Sequence, residues 1–163
     1  SSTALAQQLQ EVNELAVLDY NYTKVGKFEN SLKLNGWSIP LTKKSFLLTY
    51  AGRIQAGVDM SAMEVNVKGK KILVTLPEVR ILNNVLDEKS IEVYDETKNI
   101  FNPISINDYK TFATKQKERV EDEAIENGLL SEAATKAQST IRKFLQMIPE
   151  IKDDYTIEVT FKK

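Results

Sequence analysis

SFLLTYAGRIQAGVDM, residues 45–60, is the stretch whose reading decides the fold class. Phe46, Leu48, Tyr50, Gly52, Ile54, Ala56, Val58 and Met60 recur at every second position, the side-chain period of a β-strand. Ser45, Thr49, Arg53, Gln55 and Asp59 fall on the opposite side, so that face is at least partly wet. Gly52 and Gly57 weaken an otherwise strong strand pattern, and glycines so placed mark a bulge or a close backbone approach.

Upstream, Leu5, Leu9 and Val12 are spaced by four and three, which predicts a short amphipathic helix over 3–13. From Leu15 the period changes to two, with Ala16, Leu18, Tyr20 and Tyr22 alternating with Val17, Asp19, Asn21 and Thr23, a strand to about Val25. Residues 26–43 hold two Gly and one Pro among several Asn and Ser, a connecting loop that Trp37 and Ile39 are expected to pin to the core. Downstream, Val65 and Val67, the turn Lys68-Gly69-Lys70, then Ile72, Val74 and Leu76 spell a hairpin over 64–76. Pro77 ends it. Val79, Ile81, Asn83 and Val85, and then Ile91 and Val93, predict two shorter strands separated by Leu86-Asp87-Glu88-Lys89. The following loop, NIFNPISI at 99–106, is expected to dock through Phe101 and Ile104.

At Asn107 the period returns to 3.6, with a stripe of Tyr109, Phe112, Ala113, Gln116, Val120 and Ala124 and a stop at Gly128. A second stripe runs through Leu130, Ala133, Ala134, Ala137, Ile141, Phe144, Leu145 and Ile148 to Pro149. Tyr155, Ile157, Val159 and Phe161 alternate in a last strand. The order predicts an α+β fold: a mostly antiparallel sheet of about six strands, an N-terminal helix, and two longer helices before the last strand, both laid on one sheet face. With no repeat, low-complexity segment or linker, residues 1–163 read as a single domain.

The 163 residues hold 22 Lys+Arg against 23 Asp+Glu, with neither His nor Cys. The two absences exclude Ser-His-Asp and Cys-His nucleophile systems, imidazole bases, thiolate metal sites, iron–sulfur clusters and disulfides. No cofactor and no metal site is called for, and no catalytic residue is assigned. A net charge of -1 gives no footprint for nucleic acid, whose binders gather Lys and Arg on one face. The one tight basic cluster, Lys68, Lys70 and Lys71 around Gly69, reads as a solvated hairpin tip. No run approaches the roughly 18 apolar residues of a membrane span, and the first residues carry no signal-peptide pattern.

Arg53 and Asp59 are the candidate binding residues, set on the wet face beside glycines that let a ligand come close. The alternative is a twisted strand with a bulge at Gly57 and a turn aspartate at its end. Asp87, Glu88, Glu92, Asp95 and Glu96 could supply an acid and a base, or an oxygen-rich cation site, but they match neither a calcium loop nor a carboxylate pair of defined spacing. Turn and strand-edge acids account for them as well. Tyr20, Tyr22 and Tyr50 sit on apolar strand faces, as core or core-rim residues do.

Five segments together, LDYNYTKVGKF, KKSFLLTYAGRIQAGVDMS, LPEVRILNNVLDEKSIEVYDE, FNPISINDY and NGLLSEAATKAQ, resemble a bacterial family catalogued as domain of unknown function 4230. The resemblance covers most of the chain and brings no catalytic motif with it. It implies an upstream transmembrane anchor, absent from this chain, with the domain held outside the cytoplasm at the membrane's outer face. The expected function is then a non-catalytic binding or scaffolding domain tethered at the bacterial cell envelope, its partner an envelope component or protein. Two other readings stay open, a carboxylate-dependent hydrolase of envelope polymers and a cytosolic ligand-binding module.

Overall fold

The computed structural model describes residues 2–163, in the order α1 (Ser2–Gln10), β1 (Glu14–Asn30), β2 (Lys33–Leu34), β3 (Trp37–Ser38), β4 (Lys44–Asp59), a 3-10 turn (Met60–Ala62), β5 (Glu64–Lys68), β6 (Lys71–Leu76), β7 (Arg80–Glu96), α2 (Ile106–Glu126), α3 (Leu129–Gln146), α4 (Pro149–Lys152) and β8 (Thr156–Phe161). The fold is α+β. The strands form three sheets, β1-β4-β7, β2-β3 and β5-β6-β8, where the sequence suggested one sheet of about six. In the first, contacts fall along one strand as they climb the next, with Asp19 meeting Gln55 and Phe28 stacked on Phe46, so β1 and β4 are antiparallel. In the third, β5 and β6 form the expected hairpin from Glu64↔Thr75 to Lys68↔Lys71, with Gly69 at φ +56° in its turn. β8 joins β6 in parallel, Lys71↔Thr156 to Leu76↔Phe161. A parallel neighbour needs a long crossover, and the segment carrying α2 and α3 supplies it.

The chain divides into two compact units, one made of residues up to Tyr20 with Ile54–Asn83 and Ala124–Lys163, the other of Asn21–Arg53 with Asn84–Glu123. In the first unit Val58, Met60, Met63, Ile72, Val74 and Leu76 pack with Ala137, Ile141 and Leu145 of α3 and Leu9 of α1. Here α3 lies against β8 and α1 against β5. Gly57 allows a close approach, since a Cβ there would strike the main chain of Leu15 and Ala16. The second unit is built around Phe46, stacked at 4.8 Å from both Phe28 and Tyr109 and met edge-on by Phe112 at 5.0 Å. In this unit α2 packs on β4, with the Tyr50 hydroxyl donating to Gln116 Oε1 at 2.7 Å.

The alternating inner face of β4 is buried as expected, from Phe46 to Met60. Four further expectations fail within these elements, each for a physical reason. β1 continues past Gly26 to Asn30 because the Phe112 ring covers that glycine and Phe28 reaches the aromatic cluster. Trp37, at the tip of the small β2-β3 hairpin, is 80% exposed and pins nothing; Thr42 holds the loop instead, donating to Ile39 O and accepting from Leu32 N–H. Phe101 is 69% exposed, and its neighbour Asn102 is buried in its place, donating to Thr42 O at 2.7 Å. On α3 the buried stripe is Leu129, Ala133, Ala137, Ile141 and Leu145, a strict spacing of four, which rotates Phe144 out to 47% exposure.

The start of α2 follows a pattern that is legible in the sequence as Ser105-Ile106-Asn107-Asp108. Asp108 Oδ2 accepts the Ser105 N–H at 2.8 Å and Ser105 Oγ accepts the Asp108 N–H at 3.2 Å, a reciprocal capping box. Lys44, nearly buried, adds an ion pair to Asp108 at 2.6 Å and donates to Pro103 O at 3.2 Å.

Candidate functional site

β7 is one strand of 17 residues where alternation predicts two, because a bulge breaks its period. Leu86 and Glu88 line the groove facing α2, and so do Ile91 and Val93. The exposure of β7 alternates up to Asp87 and then holds three exposed residues in a row, Asp87, Glu88 and Lys89, so its period is interrupted there as at a β-bulge. At that point Ser90 Oγ accepts the Ala51 N–H at 2.8 Å and donates to Asp87 O at 2.5 Å, while the Lys89 N–H goes to Asp87 Oδ1 at 3.1 Å. The local sequence Asp87-Glu88-Lys89-Ser90 thus satisfies with side chains the groups that the interrupted ladder would leave open.

Beside the bulge lies an open hollow of about 790 Å³ in the second unit, lined by residues 21–23 of β1, 51–53 of β4 and 85–89 of β7. Ala51 and Arg53 have the parity opposite to Tyr50, which places them on the face of β4 away from its α2-packed side. Ala51 and Gly52 keep the floor low, and Arg53 is exposed at its side. Beneath the floor the Tyr22 hydroxyl donates to Asn84 Oδ1 at 2.7 Å, leaving Asn84 Nδ2 buried without a hydrogen-bond partner among the described residues. Burial, then the nearby charge of Glu121, pushes the Tyr22 phenol up, so it stays a donor.

Arg53 therefore sits among convergent polar groups, whereas Asp59 does not join it. Asp59 belongs to the first unit and ends β4, where its Oδ1 accepts from Ser61 Oγ at 2.6 Å and from the Ser61 N–H at 3.0 Å. The Ser61 hydroxyl bond, with the backbone bond behind it, holds the Asp59 carboxyl below its ordinary range. Among the other acids, Asp87 holds the bulge, Glu92 accepts from the Tyr94 hydroxyl at 2.8 Å and Glu96 from the Tyr109 hydroxyl at 3.2 Å. Residues that join Arg53 in the hollow, Asn21, Thr23 and Lys89, were not singled out for binding by the sequence. The signal available was the alternation itself, which sets 21, 23, 51 and 53 on one face of neighbouring strands.

In chemical terms the hollow offers guanidinium and ammonium donors, an amide, a hydroxyl, and carboxylates able to accept hydroxyl protons. That is a set for recognising a polar ligand. Among the described residues no helix is long and apolar enough to cross a membrane.

None of the curated proteins and none of the solved structures compared with this chain matches it. The model of one family, described as "Protein of unknown function (DUF4230)", matches residues 7–159, nearly the whole chain. On that match the chain belongs to the DUF4230 family.

Proposed function

We propose that this chain is a non-catalytic binding or scaffolding domain, tethered outside the cytoplasm at the bacterial cell envelope, and that the Arg53 hollow is its ligand site. The observation that carries the reading is the exposed Arg53 guanidinium beside a low floor of Ala51 and Gly52, with Asn21, Thr23 and Lys89 around it. A guanidinium presents paired donors that match a carboxylate or phosphate, and the amide and hydroxyl suit a hydroxylated neighbour. The ligand class is thus an acidic, hydroxyl-bearing envelope component.

Titration calorimetry with solubilised acidic cell-wall glycan tests this. Arg53→Ala is expected to weaken binding by about tenfold or more, the loss of a charge-assisted contact, while the melting temperature stays at the wild-type value. Equal binding by the two proteins would remove the hollow from consideration. Turnover of the glycan that is abolished by Asp59→Asn or Asp95→Asn would favour a hydrolase instead. For the tether, an encoded upstream run of about 20 apolar residues is the expected feature of the whole gene.

A further inference from the structure

The second unit holds a second concavity, about 440 Å³, between the end of β7 and α2. Its floor is Leu48 and Tyr50, one wall is Ile91 and Val93 of β7, and the other is Ile106 and Ala113 of α2. These walls are open to solvent, with Ile106 at 75% and Val93 at 48% exposure. β7 is also an edge of its sheet, hydrogen-bonded to β4 alone among the described strands. Because Thr97 gives its N–H to Ser45 O, the alternation of an antiparallel ladder turns the N–H and C=O of Glu92, Tyr94 and Glu96 away from β4. All three residues are exposed. Proteins usually blunt such an edge with a bulge or a lysine, and here the bulge and Lys89 protect residues 87–90 while 91–96 have no strand on their outer side among the described residues.

An open strand edge next to an apolar groove walled by a helix has the features that allow strand addition. The edge supplies main-chain hydrogen bonds and the groove takes alternate side chains. We propose that residues 91–96 and the adjoining groove dock an extended segment of a partner protein, with apolar residues at alternate positions and basic residues between them. The basic character follows from charge. Ile91–Glu96 carries Glu92, Asp95 and Glu96 and no cation, with only Lys110 facing from the α2 wall. A second copy of the same strand does not fit, since antiparallel pairing of 91–96 with itself sets Glu92 opposite Asp95 or Glu96, like charges directly across a ladder. The groove shares Leu86 and Glu88 with the Arg53 hollow, but none of residues 91–96 lines that hollow, and the docking proposed here does not depend on it.

The test uses a synthetic peptide of alternating Val and Lys, its Glu-for-Lys counterpart, and two versions N-methylated on alternate amides along one edge or the other. Binding is followed by amide chemical shifts of the labelled protein. Support consists of binding by the Val/Lys peptide that moves the 91–96 amides, is lost on N-methylation of one edge only, and is weakened about tenfold by Ile106→Asp. Ile106 is exposed, so that variant retains the fold, and Tyr94→Pro removes an outward donor without breaking a bond to β4. The proposal is overturned by no binding up to about 1 mM peptide, by shifts elsewhere with 91–96 unmoved, by equal binding of the Glu peptide, or by a free protein that already dimerises through β7.

Discussion

The ring of Tyr22 occupies the space that a side chain on Gly52 would fill. An aromatic laid over a strand glycine restores the packing the glycine lacks, and here it also carries the hydroxyl from β1 across β4 to Asn84 on β7. Gly52→Ala is expected to cost roughly 1–3 kcal/mol by displacing that ring. Tyr22→Phe should cost about 1–2 kcal/mol, since Asn84, whose Nδ2 already lacks a partner, loses the Tyr22 donor as well. Gly57→Ala should exceed both, because the obstruction there is the main chain of Leu15 and Ala16 and cannot rotate away. Denaturant midpoints at constant m-value measure all three.

Phe144 and Leu145 are adjacent on α3 and point to opposite fates, one half exposed and the other fully buried. Leu145→Ala is expected to lose about 2–5 kcal/mol, the cost of a buried leucine and its cavity. Phe144→Ala should lose less, about 1–2 kcal/mol, as only about half of its surface is buried. The reverse order of midpoints would mean that the stripe faces the core through Phe144.

Lys44 and Asp108 form an ion pair of which little is open to water. The Lys44 contact, followed by the Ser105 N–H, holds the Asp108 carboxyl below the ordinary carboxylate range. A depressed carboxyl contributes stability that is fully present above the unfolded value of about 4 and is lost as pH falls through the folded one. Lys44→Met should cost about 1–3 kcal/mol at neutral pH, the loss of a charge-assisted contact while Asp108 keeps the Ser105 N–H. It should also flatten the loss of stability below pH 4, which urea melts across the acid range will show.

Tyr50 titrates on the other side of neutrality. Burial, then the neighbouring Tyr22, pushes its phenol up to about 12. Below about pH 10 both folded and unfolded chains keep the proton and the contribution is complete. Above that the unfolded chain ionises first, so stability falls as pH rises toward the folded value. Tyrosinate absorbance should therefore show a late-ionising group that disappears in Tyr50→Phe, and the variant should lose less stability between pH 10 and 12 than the parent.

How much of this was legible depended on whether one period held without interruption. β4 could be read from its alternation because every inner-face side chain from Phe46 to Val58 is buried, with only its two glycines, Gly52 and Gly57, out of step, and the α2 residues Phe112, Gln116, Val120 and Ala124 are likewise buried as expected. Alternation divides β7 in two because its burial period is interrupted over Asp87, Glu88 and Lys89. The α3 stripe slipped because apolar neighbours stand side by side at Leu129-Leu130, Ala133-Ala134 and Phe144-Leu145, and size favoured phenylalanine where spacing favoured leucine. Trp37 and Phe101 were expected inside on hydrophobicity alone, while Thr42 and Asn102, which fasten those loops, are polar. Of the candidate site, Arg53 was visible as a charge on a wet strand face. Its companions come from β1 and β7, and no spacing within one strand brings them to mind.

The parallel pairing of β8 with β6 sets an order for synthesis on the ribosome. Every segment of the second unit has been made once Glu123 has been added. The hairpin of β5 and β6 is made earlier still, but its Ile72, Val74 and Leu76 wait for Ile157, Val159 and Phe161 to be added beside them. Until those last residues emerge, β6 is an unpaired apolar edge on a nascent chain, the point at which a chaperone or a neighbouring chain competes with the native strand.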